Sequence, residues 1–254
     1  LFILKKMLPF TQDQIQQISR NYPTPFHIYD EHAIRENIHQ LKDAFSWVHG
    51  GFKNYFAVKA LPNPHILKIM TSEGFGADCS SLPELVLAEK VGLQGEGIMF
   101  TSNDTPIHEF EKALELGAII NFDDIDHIHF FEKALGRLPE IGCLRYNPGA
   151  LKGGNELIGD PEEAKYGFTK KQALKAFQYF KDQGVKRFGL HTMVASNEIH
   201  EAYFVETAEI LFDLAREVYE KIGITFEFIN LGGGLGIPYN PGEKPLDIQK
   251  ISEG

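Results

Sequence analysis

Phe228-Ile229-Asn230-Leu231-Gly232-Gly233-Gly234-Leu235-Gly236-Ile237-Pro238-Tyr239 joins an apolar run to a cluster of glycines. The apolar run reads as a buried strand. Three glycines in a row would weaken that strand if it continued through them. They make sense where backbone must approach a neighbour closely or take positive φ. The stretch therefore reads as the C-terminal end of a strand followed by a βα turn. Bare N–H groups at such a turn suit a phosphate, and a tight turn without a ligand needs the same glycines. Both readings stand at this point.

Working outward, short β-rich runs alternate with amphipathic stretches. Strands are predicted near 54–59, 75–80, 97–102, 118–123, 141–146, 186–191 and 226–231. Ile98-Met99-Phe100 and Phe226-Glu227-Phe228-Ile229 are apolar enough for parallel strands covered on both faces. The clearest helix is 200–222, where Phe204, Ala208, Leu211, Ala215, Val218 and Ile222 form one stripe. Thr169 with Gln172, and Ser81 with Glu84, read as capping boxes. Gly184 reads as a helix stop, and Thr105-Pro106 as an N-cap followed by proline at the first helical position.

Seven βα units in series predict an α/β fold, a TIM (β/α)8-type barrel one strand short. A doubly wound open sheet is the alternative. Residues 1–21 read as an N-terminal extension, 22–50 as a strand (25–30) and a helix (31–47) leading in, and 51–254 as the incomplete barrel. Pro148–Lys165 should overhang the barrel mouth.

Composition narrows the function. The 254 residues carry 25 basic and 35 acidic side chains, a net charge of −10. No long basic run is present, which argues against a nucleic-acid partner. Cys79 and Cys143 are the only cysteines. They make neither a disulfide framework nor a metal-ligand spacing, and read as small core residues in a reducing cytoplasm. Leu1–Leu4 followed by Lys5 and Lys6 is too short for a signal segment, and Met7 reads as a natural start. No stretch reaches the length of a membrane span.

Chemistry concentrates where strands should end. Lys59, in Asn54-Tyr55-Phe56-Ala57-Val58-Lys59-Ala60, is expected at a strand tip and partly desolvated, which would free its amine as a nucleophile. Taken alone it reads as an ordinary snorkelling lysine. Asp78 ends the second strand, and Arg145 the fifth. Arg145 would hold an anion, orient a neighbour, or form an ion pair inside the barrel. His191, Met193 and Ser196 follow one another after the sixth strand. His191 reads as a catalytic group or a satisfied core histidine, Met193 as packing, and Ser196 as a hydroxyl for phosphate. Asp123, Asp124 and Asp126 read as the polar start of a helix, so no metal is implied. A lysine amine and a glycine phosphate cradle are together what pyridoxal 5'-phosphate requires.

Several of these segments match one family in order and spacing. Tyr55-Phe56-Ala57-Val58-Lys59-Ala60, Gly76-Ala77-Asp78, Arg145-Tyr146-Asn147-Pro148-Gly149, Lys165-Tyr166-Gly167 and the Leu231–Tyr239 stretch resemble diaminopimelate decarboxylase. That is a fold-type III, alanine-racemase-like family of pyridoxal-phosphate enzymes. The resemblance runs from about Tyr22 to the C-terminus. It implies that Lys59 is the lysine that bonds the cofactor's aldehyde. It also implies that Gly232, Gly233, Gly234 and Ser196 hold the phosphate, with Asp78, Arg145 and His191 nearby. Met193 stands where the family commonly has a histidine stacked on the ring, so the substrate is put in question. The implied reaction is decarboxylation of meso-2,6-diaminopimelate, an amino-acid substrate, to L-lysine, in a cytoplasmic homodimer. The family continues into an eighth strand with a Glu and an Arg, then a β-domain. On this reading the chain is truncated and impaired as an enzyme. Other basic amino acids, a racemase, a non-catalytic cofactor-binding barrel and a cofactor-free phosphate-binding barrel are the alternatives.

Overall fold

The computed structural model describes residues 10–155, 159–163, 166–240 and 242–254. The N-terminal leucines, the two lysines after them and Met7 lie outside the described residues, as does Lys165. Seven strands form one sheet: β1 (Tyr55–Ala57), β2 (Gly76–Cys79), β3 (Ile98–Thr101), β4 (Ile119–Phe122), β5 (Ile141–Tyr146), β6 (Arg187–Thr192) and β7 (Phe228–Asn230). They pair in sequence order, and every pairing is parallel. Sequential order rules out the doubly wound alternative, in which the order reverses part-way. Each of the seven predicted barrel strands is present within two residues of its expected bounds.

Helices connect the strands: α3 (Pro64–Ser72), α4 (Leu82–Lys90), α5 (Ile107–Glu115), α6 (Ile125–Leu135), α7 (Lys170–Asp182) and α8 (Glu201–Ile222). Two more precede the sheet, α1 (Gln12–Asn21) and α2 (Glu31–Ala44), and α9 (Ile248–Glu253) follows it. The chain's last helix docks on α2. Ser252 donates its hydroxyl to the Ala44 carbonyl at 2.5 Å, and Trp47 donates its indole N–H to the Ser252 hydroxyl at 2.6 Å. The helical belt thus closes across the side where β1 and β7 lack a strand partner among the described residues.

Strand alternation sorts the side chains into two cores. Outward residues such as Ala77, Phe100, Phe122, Leu144 and Leu190 join the helices in one large cluster. Within it Phe131 is fully buried and meets Phe110 and Phe122 edge-on, at 5.2 and 5.4 Å between centroids. Inward residues Met99, Ile119, Ile141 and Cys143 form a second cluster with Tyr55 and Phe228. Contact among residues of β1, β3, β4, β5 and β7 requires the sheet to curl into a barrel. Gly189 is needed for this closure, because any Cβ there would overlap the Phe228 ring.

The N-terminal face is tied by charge. Arg187 donates to Glu227, Glu96 and Glu140, at 2.8, 2.7 and 3.0 Å. These carboxylates come from the loops before β7, β3 and β5, so one guanidinium fastens three loops to β6.

Three sequence expectations are corrected. Residues 25–30 form no strand; they are mostly exposed and have no ladder partner among the described residues, and Asp30 caps α2. Pro106, in extended backbone, takes the cap position of α5, and the Thr105 hydroxyl is left buried without a partner. Glu84 accepts from the Ser80 N–H and the Ser81 hydroxyl instead of the Ser81 N–H, and Ser81 caps nothing itself, so the box is not made. Helix α1 lies inside the expected N-terminal extension, opened by a full capping box of Thr11 and Gln14. The Thr169–Gln172 box is formed as expected.

Phe131→Ala is expected to cost about 3–5 kcal/mol, as for a large aromatic deleted from a closed core. Arg187→Ala should cost clearly less, because its partners are open to solvent. Urea denaturation of both variants checks this order, and raised salt should weaken wild type but not the Arg187 variant.

Candidate active site

In a parallel barrel all C-terminal strand ends share one rim. Just below that rim lies a polar layer on an apolar floor. Thr101 donates its hydroxyl to Asp78 Oδ1 at 2.8 Å. Asn121 Nδ2 lies 3.3 Å from Thr101 Oγ1 and 2.8 Å from His191 Nδ1. The Cys143 thiol donates to Asn121 Oδ1 at 3.4 Å. Residues of β2, β3, β4, β5 and β6 are thereby joined through side chains alone.

Burial sets the protonation of this layer. It pushes the Asp78 carboxyl up to about 7, against the opposing pull of the Thr101 hydrogen bond and the Lys59 charge. Burial, helped by the Arg145 charge, drives His191 down to about 3, so its imidazole is neutral. Burial also raises both thiols, which keeps Cys79 and Cys143 protonated and unreactive. His191 is therefore a satisfied core histidine on its Nδ1 side.

Lys59 departs from its expected environment. β1 ends at Ala57, and Lys59 sits in a 3-10 turn spanning Val58–Ala60 with its side chain exposed. The expected desolvation is absent because this side of the mouth is open. Lys59 remains close enough to Asp78 for its charge to act there.

Arg145 takes its structural reading. Its Nε donates to Asp123 Oδ1 at 2.5 Å, its Nη2 bonds the same oxygen, and its guanidinium lies over the Tyr166 ring at 4.6 Å. Asp123 is thus a partner of the fifth strand, while Asp124 caps α6.

The glycine turn is woven into the loop after β6. Gly232 and Gly234 both have positive φ, and a Cβ on either would overlap the carbonyl of Thr192 or Ala195. Glu198 donates its N–H to the Gly234 carbonyl and receives that of Gly236, both at 2.8 Å. Gly233 differs, since a Cβ there meets nothing within 4 Å. Its N–H points at the Met193 sulfur, 3.3 Å away, whereas the Gly232 N–H is taken by Asn230 Oδ1 at 2.9 Å. The Gly234 N–H and the Ser196 hydroxyl have no partner among the described residues. The loop after β5 reaches over this side as expected. Asn155 accepts from the Ser196 N–H at 3.2 Å and donates to Glu198 at 3.0 Å. Lys152, buried, bonds the Tyr203 carbonyl and Glu206 of α8, at 2.7 and 2.9 Å.

Thr101 and Asn121 escaped the reading of the sequence. Their signal was a polar residue at an inward position of an apolar run, as in Ile119-Ile120-Asn121-Phe122.

Comparison with known proteins fits this geometry. The family described as pyridoxal-dependent decarboxylase, pyridoxal binding domain, matches residues 31–254. The chain belongs to this family. This pyridoxal-dependent decarboxylase domain is 38% identical over 239 residues to protein TabA of Pseudomonas amygdali pv. tabaci, covering 94% of this chain and 56% of TabA. It is 34% identical over 243 residues to diaminopimelate decarboxylase of Methanothermobacter thermautotrophicus, covering 93% and 55%. The structure of Helicobacter pylori diaminopimelate decarboxylase complexed with L-lysine superposes with a TM-score of 0.81 at 25% identity, covering 94% of this chain and 61% of that one. The decarboxylase domain spans about half the length of the curated relatives it matches. Among its described residues no helix is long and apolar enough to cross a membrane.

Two expectations follow for this decarboxylase domain. Gly234→Ala should destabilise it, through both the positive φ and the clash with Ala195, whereas Gly233→Ala should leave the thermal midpoint unchanged. Asp78 gives a pH signature. Between its ordinary 3.8 and about 7 the folded chain holds a proton that the unfolded chain releases. Its stabilising contribution is therefore full below that window and lost as pH rises through it. Asp78→Asn should gain on wild type in thermal melts as pH is raised from about 4 to about 8, and match it below about 4.

Proposed function

We propose that the full-length protein decarboxylates meso-2,6-diaminopimelate to L-lysine and CO2, using pyridoxal 5'-phosphate held at the rim of this barrel. One observation carries the reading. An accessible lysine beside a carboxylate shares a rim with a glycine turn that has N–H groups to spare.

The residues present fit the cofactor. Lys59 is exposed and would hold the aldehyde end. Gly233, Gly234 and Ser196 would hold the phosphate. The Gly233 N–H meets only a thioether sulfur, a weak acceptor that an anion displaces readily. The Gly232 N–H is already committed, so its part is to bring the turn close to the loop after β6. When bound, the cofactor supplies an electron sink for the pair left behind as the substrate carboxylate departs.

The other groups position and exclude. Asp78, poised near neutrality, would set the charge beside the lysine amine. Arg145, committed to Asp123, would orient the mouth rather than seize an anion. His191 and Met193 would line the pocket; Met193 can pack on a flat ring through its sulfur but has no proton to give. A full-length homodimer would complete the site.

Borohydride treatment of the cofactor-loaded protein, followed by peptide mapping, should mark Lys59. Lys59→Ala should abolish that mark and lower kcat by roughly 10³-fold or more, the scale for loss of a covalent catalytic group. CO2 release from diaminopimelate, ornithine, arginine and carboxynorspermidine then decides the substrate. Preference for any but the first overturns the diaminopimelate reading and keeps the decarboxylase. A Lys59 mark without CO2 release from any of the four would instead favour a racemase or a non-catalytic barrel. Absence of the mark in the full-length protein overturns the cofactor assignment to Lys59.

A further inference from the structure

We infer that Asn121 is a positioning residue, whose carboxamide fixes His191 as a neutral Nε2–H donor and turns the Thr101 hydroxyl toward Asp78. This deepens the proposed function. It rests on that reading only for the molecule that His191 and Asp78 would meet.

The argument starts at Cys143. Its thiol is fully buried and protonated, so it can donate to the Asn121 amide but accepts only weakly. At 3.4 Å it faces Oδ1, which fixes the amide orientation. Nδ2 then has two hydrogens and two acceptors, His191 Nδ1 at 2.8 Å and Thr101 Oγ1 at 3.3 Å. An accepting Nδ1 on a neutral ring places the ring proton on Nε2. A Thr101 oxygen that accepts from Asn121 keeps its own hydrogen for Asp78 Oδ1, at 2.8 Å. The network therefore runs one way, from thiol to carboxylate. Asn121 and His191 are 2% and 4% exposed, so water does not compete for these bonds.

The surrounding charges reinforce the pattern. Lys59, from the turn after β1, and Arg145, from β5, favour an ionised Asp78, while Glu84 of α4 opposes it. Tyr55 of β1 and Cys143 of β5 also lie within electrostatic reach of Asp78. Arg145 opposes a positive charge on His191. The imidazole is thus held as an uncharged donor, while the carboxylate beside the lysine carries the charge that titrates.

Histidine-labelled protein, without cofactor, tests this by two-bond proton–nitrogen correlation. His191→Gln identifies the His191 signals among the ten histidines. Wild type should show the Nε2–H tautomer, still neutral well below the ordinary 6.5. Asn121→Asp places an anion against Nδ1, and should protonate that nitrogen and raise the midpoint by roughly 1–3 units. Thr101→Val should leave the His191 tautomer alone and raise the Asp78 midpoint, read from carbon-labelled aspartate. A wild-type Nδ1–H tautomer overturns the inference. So does an Asn121→Asp shift no larger than that of Thr101→Val. If Asn121→Asp does not fold, the wild-type tautomer alone decides. The cofactor takes no part, so failure here leaves the decarboxylase reading intact, and failure of Lys59 trapping leaves this network intact.

Discussion

The parallel ladder is the constraint on which the rest depends. Seven strands paired in one direction put the C-terminal end of every strand on one rim and every second side chain inside. From that alternation follow a charged N-terminal face, an apolar floor, a polar layer and an open rim. Each level is a set of inward positions one step further along the strands. Tyr55, Met99 and Phe228 belong to the floor, and Asp78, Thr101, Asn121 and His191 to the layer above it. The floor excludes water from beneath, which is why the polar layer departs so far from solution behaviour.

Much of this was legible before any coordinates. Strand positions came from apolar runs, and parallel order from the regular alternation with helices. Lys59, Asp78 and the glycine turn were singled out because each breaks the run that precedes it. Other features were hidden for physical reasons. Asn121 and Thr101 are single polar residues within buried strands, and only cross-strand register shows that they meet. Asp123 stood among three aspartates that looked like one polar helix start. One of them turns inward to Arg145 and another caps α6, a division decided by strand alternation.

Local signals misled where tertiary context was stronger. Thr105-Pro106 has the composition of a helix start, yet Pro106 stays extended and the helix begins one residue later. Residues 25–30 have strand composition but, among the described residues, no neighbour with which they form a ladder. Lys59 lies two residues past the end of β1, far enough for its side chain to reach solvent. At α1 the reverse holds: a complete capping box of Thr11 and Gln14 opens a helix within the stretch read only as an extension.

The weave between the glycine turn and the loop after β6 has a consequence for how this barrel can change. Backbone hydrogen bonds join Glu198 to Gly234 and Gly236, and Asn155 fastens the loop after β5 to the same place. Three loops that are separate in sequence therefore drift as one unit. A substitution in any of them is felt by the other two, so variation at this mouth must be concerted or be confined to positions such as Gly233, where an added side chain meets open space. A new preference at this rim would thus arise more readily from side chains facing the cavity, Met193 among them, than from remodelled loops.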